Sequence, residues 1–148
     1  MGQVTPLGMV AKRHVDPIQC VVFFDGTCGL CHGFVRFALA RDRQLRLLFA
    51  PLQGTTAAHT LPALGRRLEH LDTVYLLTED QRLLSHSDAT LAVLERLGGI
   101  WRLAALGQLI PRRVRDALYR CVARLRHGLR AHQACGGVPT VWRNRLLP

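Results

Sequence analysis

A chain of 148 residues, 49% of them apolar, is long enough for one domain with a sizeable core and too apolar for a disordered segment. No apolar run approaches the roughly 18–20 residues that cross a bilayer. The formal charge of +10 raises nucleic-acid binding, but Lys12 is the only lysine and the arginines are scattered until the C-terminal part. In a Leu-, Ala- and Gly-rich chain that balance reads as the bias of a GC-rich genome, and any nucleic-acid binding is expected to be weak and non-specific.

In chain order, "MGQVTPLGMVAKRHVDPIQC" carries Lys12, Arg13, His14 and Asp16 and has no apolar centre. It reads as an N-terminal arm over residues 1–17 rather than as a secretory signal, which points to a cytoplasmic protein. Gln19 to Phe24 is a short run of Val and Phe ended by Asp25-Gly26, the pattern of a buried strand. From Cys31 the apolar residues Phe34, Val35, Ala38 and Leu39 recur at helical spacing. "LRLLFAPL", Leu45 to Leu52, reads as a second strand, so the three pieces form a βαβ unit with a right-handed crossover.

Leu61, Leu64, Leu68 and Leu71 suggest a helix that Pro62 and Gly65 weaken. "TVYLLT" and "QRLLSH" flank Glu79-Asp80 and read as a β-hairpin. Ser87 is expected to cap a helix carrying Leu91, Leu94 and Leu97, with Asp88 as its first-turn acid and Gly98-Gly99 as its end. "IWRLAALGQLI" leads to Pro111 and a last helix, with Val114, Leu118, Cys121, Val122 and Leu125 on one stripe. Cys20 and Cys121 are expected in the core, and Trp101 and Tyr119 in the core or an interface. Residues 140–148 read as a tail behind a domain spanning 18–139.

This order predicts an α/β fold of the thioredoxin-like kind: a central four-stranded mixed sheet flanked by helices, with a helical C-terminal extension. Five cysteines cannot all pair within one chain, and without a secretory signal a disulfide framework is not expected. Cys28 and Cys31 instead form a Cys-x-x-Cys where a strand gives way to a helix. There the unpaired amides and the helix dipole favour a thiolate, and the second cysteine lies one turn on, where it can resolve a mixed disulfide. Cys28 is therefore the expected nucleophile, exposed, and Cys31 the shielded resolving thiol.

The same spacing suits a zinc knuckle completed by His32, Cys121 or Cys135, but no second ligand pair stands at a familiar distance. The redox reading is preferred, with no metal and no cofactor, on a disulfide- or thiol-containing substrate. A zinc-binding or redox-sensing module is the alternative. Asp25 fits either a base beside the thiols or an Asp-Gly turn residue, and His32 either a thiolate partner or an exposed first-turn residue.

Asp25, Cys28 and Cys31 make a D-x-x-C-x-x-C motif that resembles the DCC family of predicted thiol-disulfide oxidoreductases. The likeness continues in Ser87-Asp88-Ala89, in Ile110-Pro111, Arg115-Asp116, Tyr119, Val122-Ala123-Arg124 and Arg126, and in Cys135 and Pro139. It implies a thioredoxin-like fold and a redox function with Cys28, Cys31 and Asp25 at the site. One departure from thioredoxins stands out: before the third strand, where they place a cis-proline opposite the active cysteines, this chain has Asp72 and Thr73.

Overall fold

A computed structural model describes residues 19–66, 73–129 and 140–148. The N-terminal arm, Leu68, Leu71, Asp72, Cys135 and Pro139 lie outside them, as do the side chains of Leu125 and Arg126. The elements are β1 (Cys20–Phe24), α1 (Gly29–Arg41), β2 (Leu47–Pro51), α2 (Thr55–Ala63), β3 (Tyr75–Leu77), β4 (Leu83–Ser85), α3 (His86–Leu97), a 3-10 helix (Gly99–Leu109), α4 (Arg112–Leu129) and a second 3-10 helix (Thr140–Arg145).

The strands form one mixed sheet in the order β2-β1-β3-β4. β1 runs parallel to β2, with Cys20 opposite Leu47 and Phe24 opposite Pro51, and antiparallel to β3. β3 and β4 form the expected hairpin. This is the thioredoxin-like arrangement that the order of elements predicted.

Alternation along the central strand divides the core in two. Cys20, Val22 and Phe24 enter one apolar cluster with Leu47, Phe49 and Leu76, covered by Val35 and Leu39 of α1 and Ala89 and Val93 of α3. Phe23 enters the other with Ala50 and Tyr75, covered by Ala57 and Leu61 of α2. A strand covered on both faces has no polar side to present, which is why β1 reads as an unbroken apolar run.

Three local expectations change. The second helix ends near Leu64 rather than running on through it: it buries Ala57 and Leu61, four residues apart, and Gly65 follows at φ 73°. Ser87 is not a cap, because α3 begins at His86 and the N-cap position belongs to Ser85. Ser87 is buried in the first turn and donates to Asp116 Oδ1 at 2.6 Å.

The third concerns α4. Val114, Leu118 and Val122 are about half exposed, and Cys121 is exposed rather than part of the core. The helix docks instead through polar residues: Asp116 accepts from Ser87, Arg115 pairs with Asp88 at 2.9 Å, and Tyr119 reaches Val74, just before β3. Cys20 is in the core as expected.

Residues 140–148 lie against the outer edge of β2. Leu146 makes a parallel bridge with Phe49, Leu147 N–H donates to Phe49 C=O at 2.8 Å, and Thr56 N–H donates to Pro148 C=O at 2.8 Å. Contact is close enough that a Cβ on Gly54 would stand 2.7 Å from the Pro148 carbonyl carbon. The edge strand is thereby covered. Beside it Arg145 forms an ion pair with Asp42, whose side chain is fully buried and also accepts from Leu47 N–H at 2.9 Å.

Two tests follow from these contacts. Arg145→Ala leaves a buried carboxylate without its cation and is expected to cost about 3–5 kcal/mol, read from the urea midpoint. At the same end of the sheet, where Cys20 lies opposite Leu47, Arg96 donates to Glu79 at 3.0 Å and to Cys20 Sγ at 3.1 Å. The Arg96 hydrogen bond leads the effects that draw the Glu79 carboxyl from 4.5 down to about 2. Its contribution to stability is complete above pH 4.5 and is lost as pH falls towards 2. Glu79→Gln should therefore lie below the parent in stability at neutral pH and converge with it in acid.

Candidate active site

The site begins where β1 runs out. Asp25 is buried, and three donors converge on its Oδ1: Thr27 N–H at 2.9 Å, Thr27 Oγ1 at 2.7 Å and Gln53 Nε2 at 3.0 Å. The other end of the Gln53 amide accepts from Gly26 N–H at 3.0 Å. One side chain from the segment after β2 thus holds the turn after β1. A Cβ at position 26 would meet Gln53 Oε1 at 2.9 Å and Pro51 Cβ at 3.3 Å, so a larger residue there would push aside the amide that holds the turn.

Cys28 N–H donates to Asp25 C=O at 3.2 Å, and Cys28 C=O accepts from His32 N–H at 3.0 Å, so Cys28 is the N-cap of α1. Cys31 follows in the first turn. Both side chains belong to the larger apolar cluster. The expected exposure of Cys28 is overturned: it is 1% exposed and Cys31 7%. An N-cap side chain can turn back over the strand it follows, and here it packs among the strand and helix residues of that cluster.

His32 is fixed as well. Its Nε2 lies 2.7 Å from Gly26 C=O, and since a carbonyl only accepts, Nε2 carries the hydrogen. Its ring meets Phe24 edge-on at 5.6 Å, and its Nδ1 is buried without a hydrogen-bond partner among the described residues. The imidazole therefore braces the turn from within.

Cys31, not Cys28, faces an apolar cleft of about 350 Å³ together with Leu30, Phe34, Val74, Thr90, Leu118, Tyr119 and Val122. Its far wall is α4. Tyr119 Oη accepts from Val74 N–H at 3.2 Å and from Thr73 Oγ1 at 3.3 Å, just before β3. No peptide among the described residues is cis. Where a proline would have no N–H to satisfy, this chain has an N–H and supplies a tyrosine hydroxyl to accept it.

Ser87, Asp88, Arg115, Asp116 and Tyr119, separated by up to 32 positions in the chain, meet behind that wall. The Ser87 hydrogen bond leads the effects that lower the Asp116 carboxyl below its ordinary range, joined by Arg112 and Arg115. Sequence reasoning treated Ser87 and Asp88 as local helix-start residues. The signal that they meet α4 was the recurrence of both segments in one family pattern. Among the described residues, no three His, Cys, Asp or Glu side chains gather where a metal ion could sit.

Cys20 stands apart from the site, at the opposite end of β1. Burial, above all, pushes its thiol up to about 11, so it remains protonated at neutral pH.

The chain is 35% identical over 107 residues to the uncharacterized protein YuxK of Bacillus subtilis, covering 72% of this chain and 77% of that one. It is 32% identical over 110 residues to a chloroplastic DCC family protein of Arabidopsis thaliana, covering 74% of this chain but only 63% of the plant protein. No solved structure matches it. The model of the DCC1-like thiol-disulfide oxidoreductase family matches residues 22–131, from the central strand to beyond α4. The chain belongs to that family.

Proposed function

We propose that this protein carries out thiol–disulfide exchange through Cys28 and Cys31, on a substrate that enters the apolar cleft beside Cys31. The observation that carries the reading is the placement of the two cysteines at the N-cap and in the first turn of α1, the second of them lining a cleft. Cys28, at the N-cap, is the attacking thiolate. It attacks one sulfur of the substrate disulfide; the substrate S–S bond breaks, and the departing thiolate takes up a proton. Cys31 then gives up its proton and attacks Cys28 Sγ, forming the Cys28–Cys31 bond and releasing the second substrate thiol. Two electrons and two protons pass from the pair to the substrate, and an external dithiol restores the pair.

Asp25 holds the turn that presents Cys28, through Thr27 and Gln53. Because Cys28 is 1% exposed, that turn must yield before a substrate sulfur reaches it. Thiol-reactive probes should accordingly label Cys28 far more slowly in the native protein than in urea. Cytoplasmic placement goes with this reading, since exchange of this kind needs a reducing pool to return the pair to thiols.

Intact mass with and without reductant, combined with metal analysis, tests the proposal. The oxidised protein should be two hydrogens lighter, with the bond mapped to Cys28–Cys31, and should hold little zinc. Cys31→Ser should accumulate mixed disulfides through Cys28 and Cys28→Ser should not. Trapping only through Cys31 would reverse the two roles, and stoichiometric zinc lost on replacing either cysteine would remove the redox reading altogether.

A second expectation concerns the cleft wall. Tyr119→Phe leaves Val74 N–H and the Thr73 hydroxyl without their acceptor and should cost about 1–3 kcal/mol in urea unfolding. The Cys28–Cys31 bond should still form in that variant, because the turn that holds the pair is made without Tyr119.

A further inference from the structure

The 3-10 helix Gly99–Leu109 has two apolar ridges, and the fold uses one of them. A 3-10 helix has three residues per turn, so side chains three apart eclipse each other. Trp101, Ala104 and Gly107 form the inner ridge: Trp101 packs edge-on against Phe37 at 4.8 Å, and a Cβ on Gly107 would stand 3.0 Å from Leu91 of α3. Ile100, Leu103, Leu106 and Leu109 form the other, and they are 72%, 61%, 59% and 81% exposed. At about 2.0 Å per residue the ridge runs roughly 18 Å.

The half-exposed Val114, Leu118 and Val122 of α4 continue this surface as far as the mouth of the cleft beside Cys31, which Leu118 and Val122 also line. Ile110, at the end of the ridge, and Leu118 line one cleft. Eight of the ten large hydrophobic side chains exposed among the described residues fall between Ile100 and Val122. A concentration of exposed large apolar side chains in one segment is the kind of surface that marks an interaction site. Charge follows the same segment: between positions 100 and 124 the chain has six arginines and a single acid, Asp116. Arg112 and Arg115 are held by Asp88, while Arg102, Arg113, Arg120 and Arg124 are exposed.

We propose that the outer ridge of the 3-10 helix and the outer stripe of α4 form a docking surface for an anionic lipid bilayer. Three features select that partner. The ridge side chains are 59–81% exposed, so they suit a deformable apolar phase better than a partner requiring a matching groove. Arginine beside exposed Leu, Ile and Val can keep its charge among headgroups while its stem lies along the apolar zone. The excess of uncompensated positive charge suits the negative potential of anionic lipid and would repel a second copy of the same surface. No helix of the described residues is long and apolar enough to cross a membrane, so the contact is with one leaflet.

The test is co-sedimentation of the full chain with phosphatidylcholine vesicles, with and without phosphatidylglycerol, alongside sedimentation velocity without lipid. Binding is expected to require phosphatidylglycerol. The double substitution Leu103→Glu and Leu109→Glu, at exposed positions and with an unchanged circular dichroism spectrum, should weaken binding by roughly tenfold or more. Arg113→Glu with Arg120→Glu should weaken it independently. Cys28→Ser with Cys31→Ser should bind as the parent does, so the lipid result stands apart from the thiol reading. Binding that disappears with salt and ignores Leu103→Glu and Leu109→Glu would reduce the effect to diffuse charge and overturn the proposal. So would absence of vesicle binding, whether the protein is then a monomer or a dimer that the leucine substitutions separate.

Discussion

β1 lies between a parallel and an antiparallel neighbour and is covered on both faces, so four of its five residues are buried and only Val21 keeps partial exposure. Each large apolar side chain moved from water into such a core contributes about 1.5–3 kcal/mol. That constraint sets the layers: α1 and α3 must close one face, and α2 the other. It also sets where polar chemistry can begin, because the first buried carboxylate among the described residues comes only after Phe24, where the strand ends. The cysteines follow at once.

Parallel pairing brings the end of β2 beside the end of β1. Gln53, two residues past β2, is therefore in reach of Asp25 and Gly26, and its amide satisfies both. The turn carrying Cys28 is held by a side chain 25 positions later, so its geometry depends on the crossover through α1 being complete. A buried acid with several donors is a rigid anchor, since leaving any of those groups unpaired costs about 1–3 kcal/mol. His32 adds an inner brace to the same turn. Rigidity here and access to Cys28 are in competition, and the apolar cleft opens on the side of Cys31.

The last helix reverses an ordinary assumption about amphipathic segments. Its apolar stripe is half exposed and borders the cleft beside Cys31, and its contacts inward are a hydroxyl–carboxylate bond, an arginine–aspartate pair and a tyrosine hydroxyl on the amide just before β3. Polar docking of this kind specifies orientation through geometry, whereas apolar packing alone would tolerate rotation. Directional bonds fix α4 so that Leu118 and Val122 line the cleft beside Cys31 while Val114 stays at the surface.

Much of the fold was legible in the amino-acid sequence. Continuous apolar runs ended by Asp-Gly or Pro marked β1 and β2, Glu79-Asp80 marked the hairpin, and Gly98 at φ 73° ended α3 as glycine commonly does. These signals are local, acting within a few residues through backbone preference and side-chain period. The Asp25, Cys28 and Cys31 motif was likewise local, since its spacing follows from one turn and one helix start. What the tertiary structure alone decided was which surfaces meet. Periodicity showed a stripe on α4 but not whether it faced the core, and residue type suggested a cap at Ser87 when its hydroxyl had a carboxylate 29 positions away. Cys28 looked exposed by its place at a helix start, yet its burial depends on strands and helices brought over it from far along the chain. Contacts of that range have no period and no fixed spacing, so they become visible only when the chain is folded.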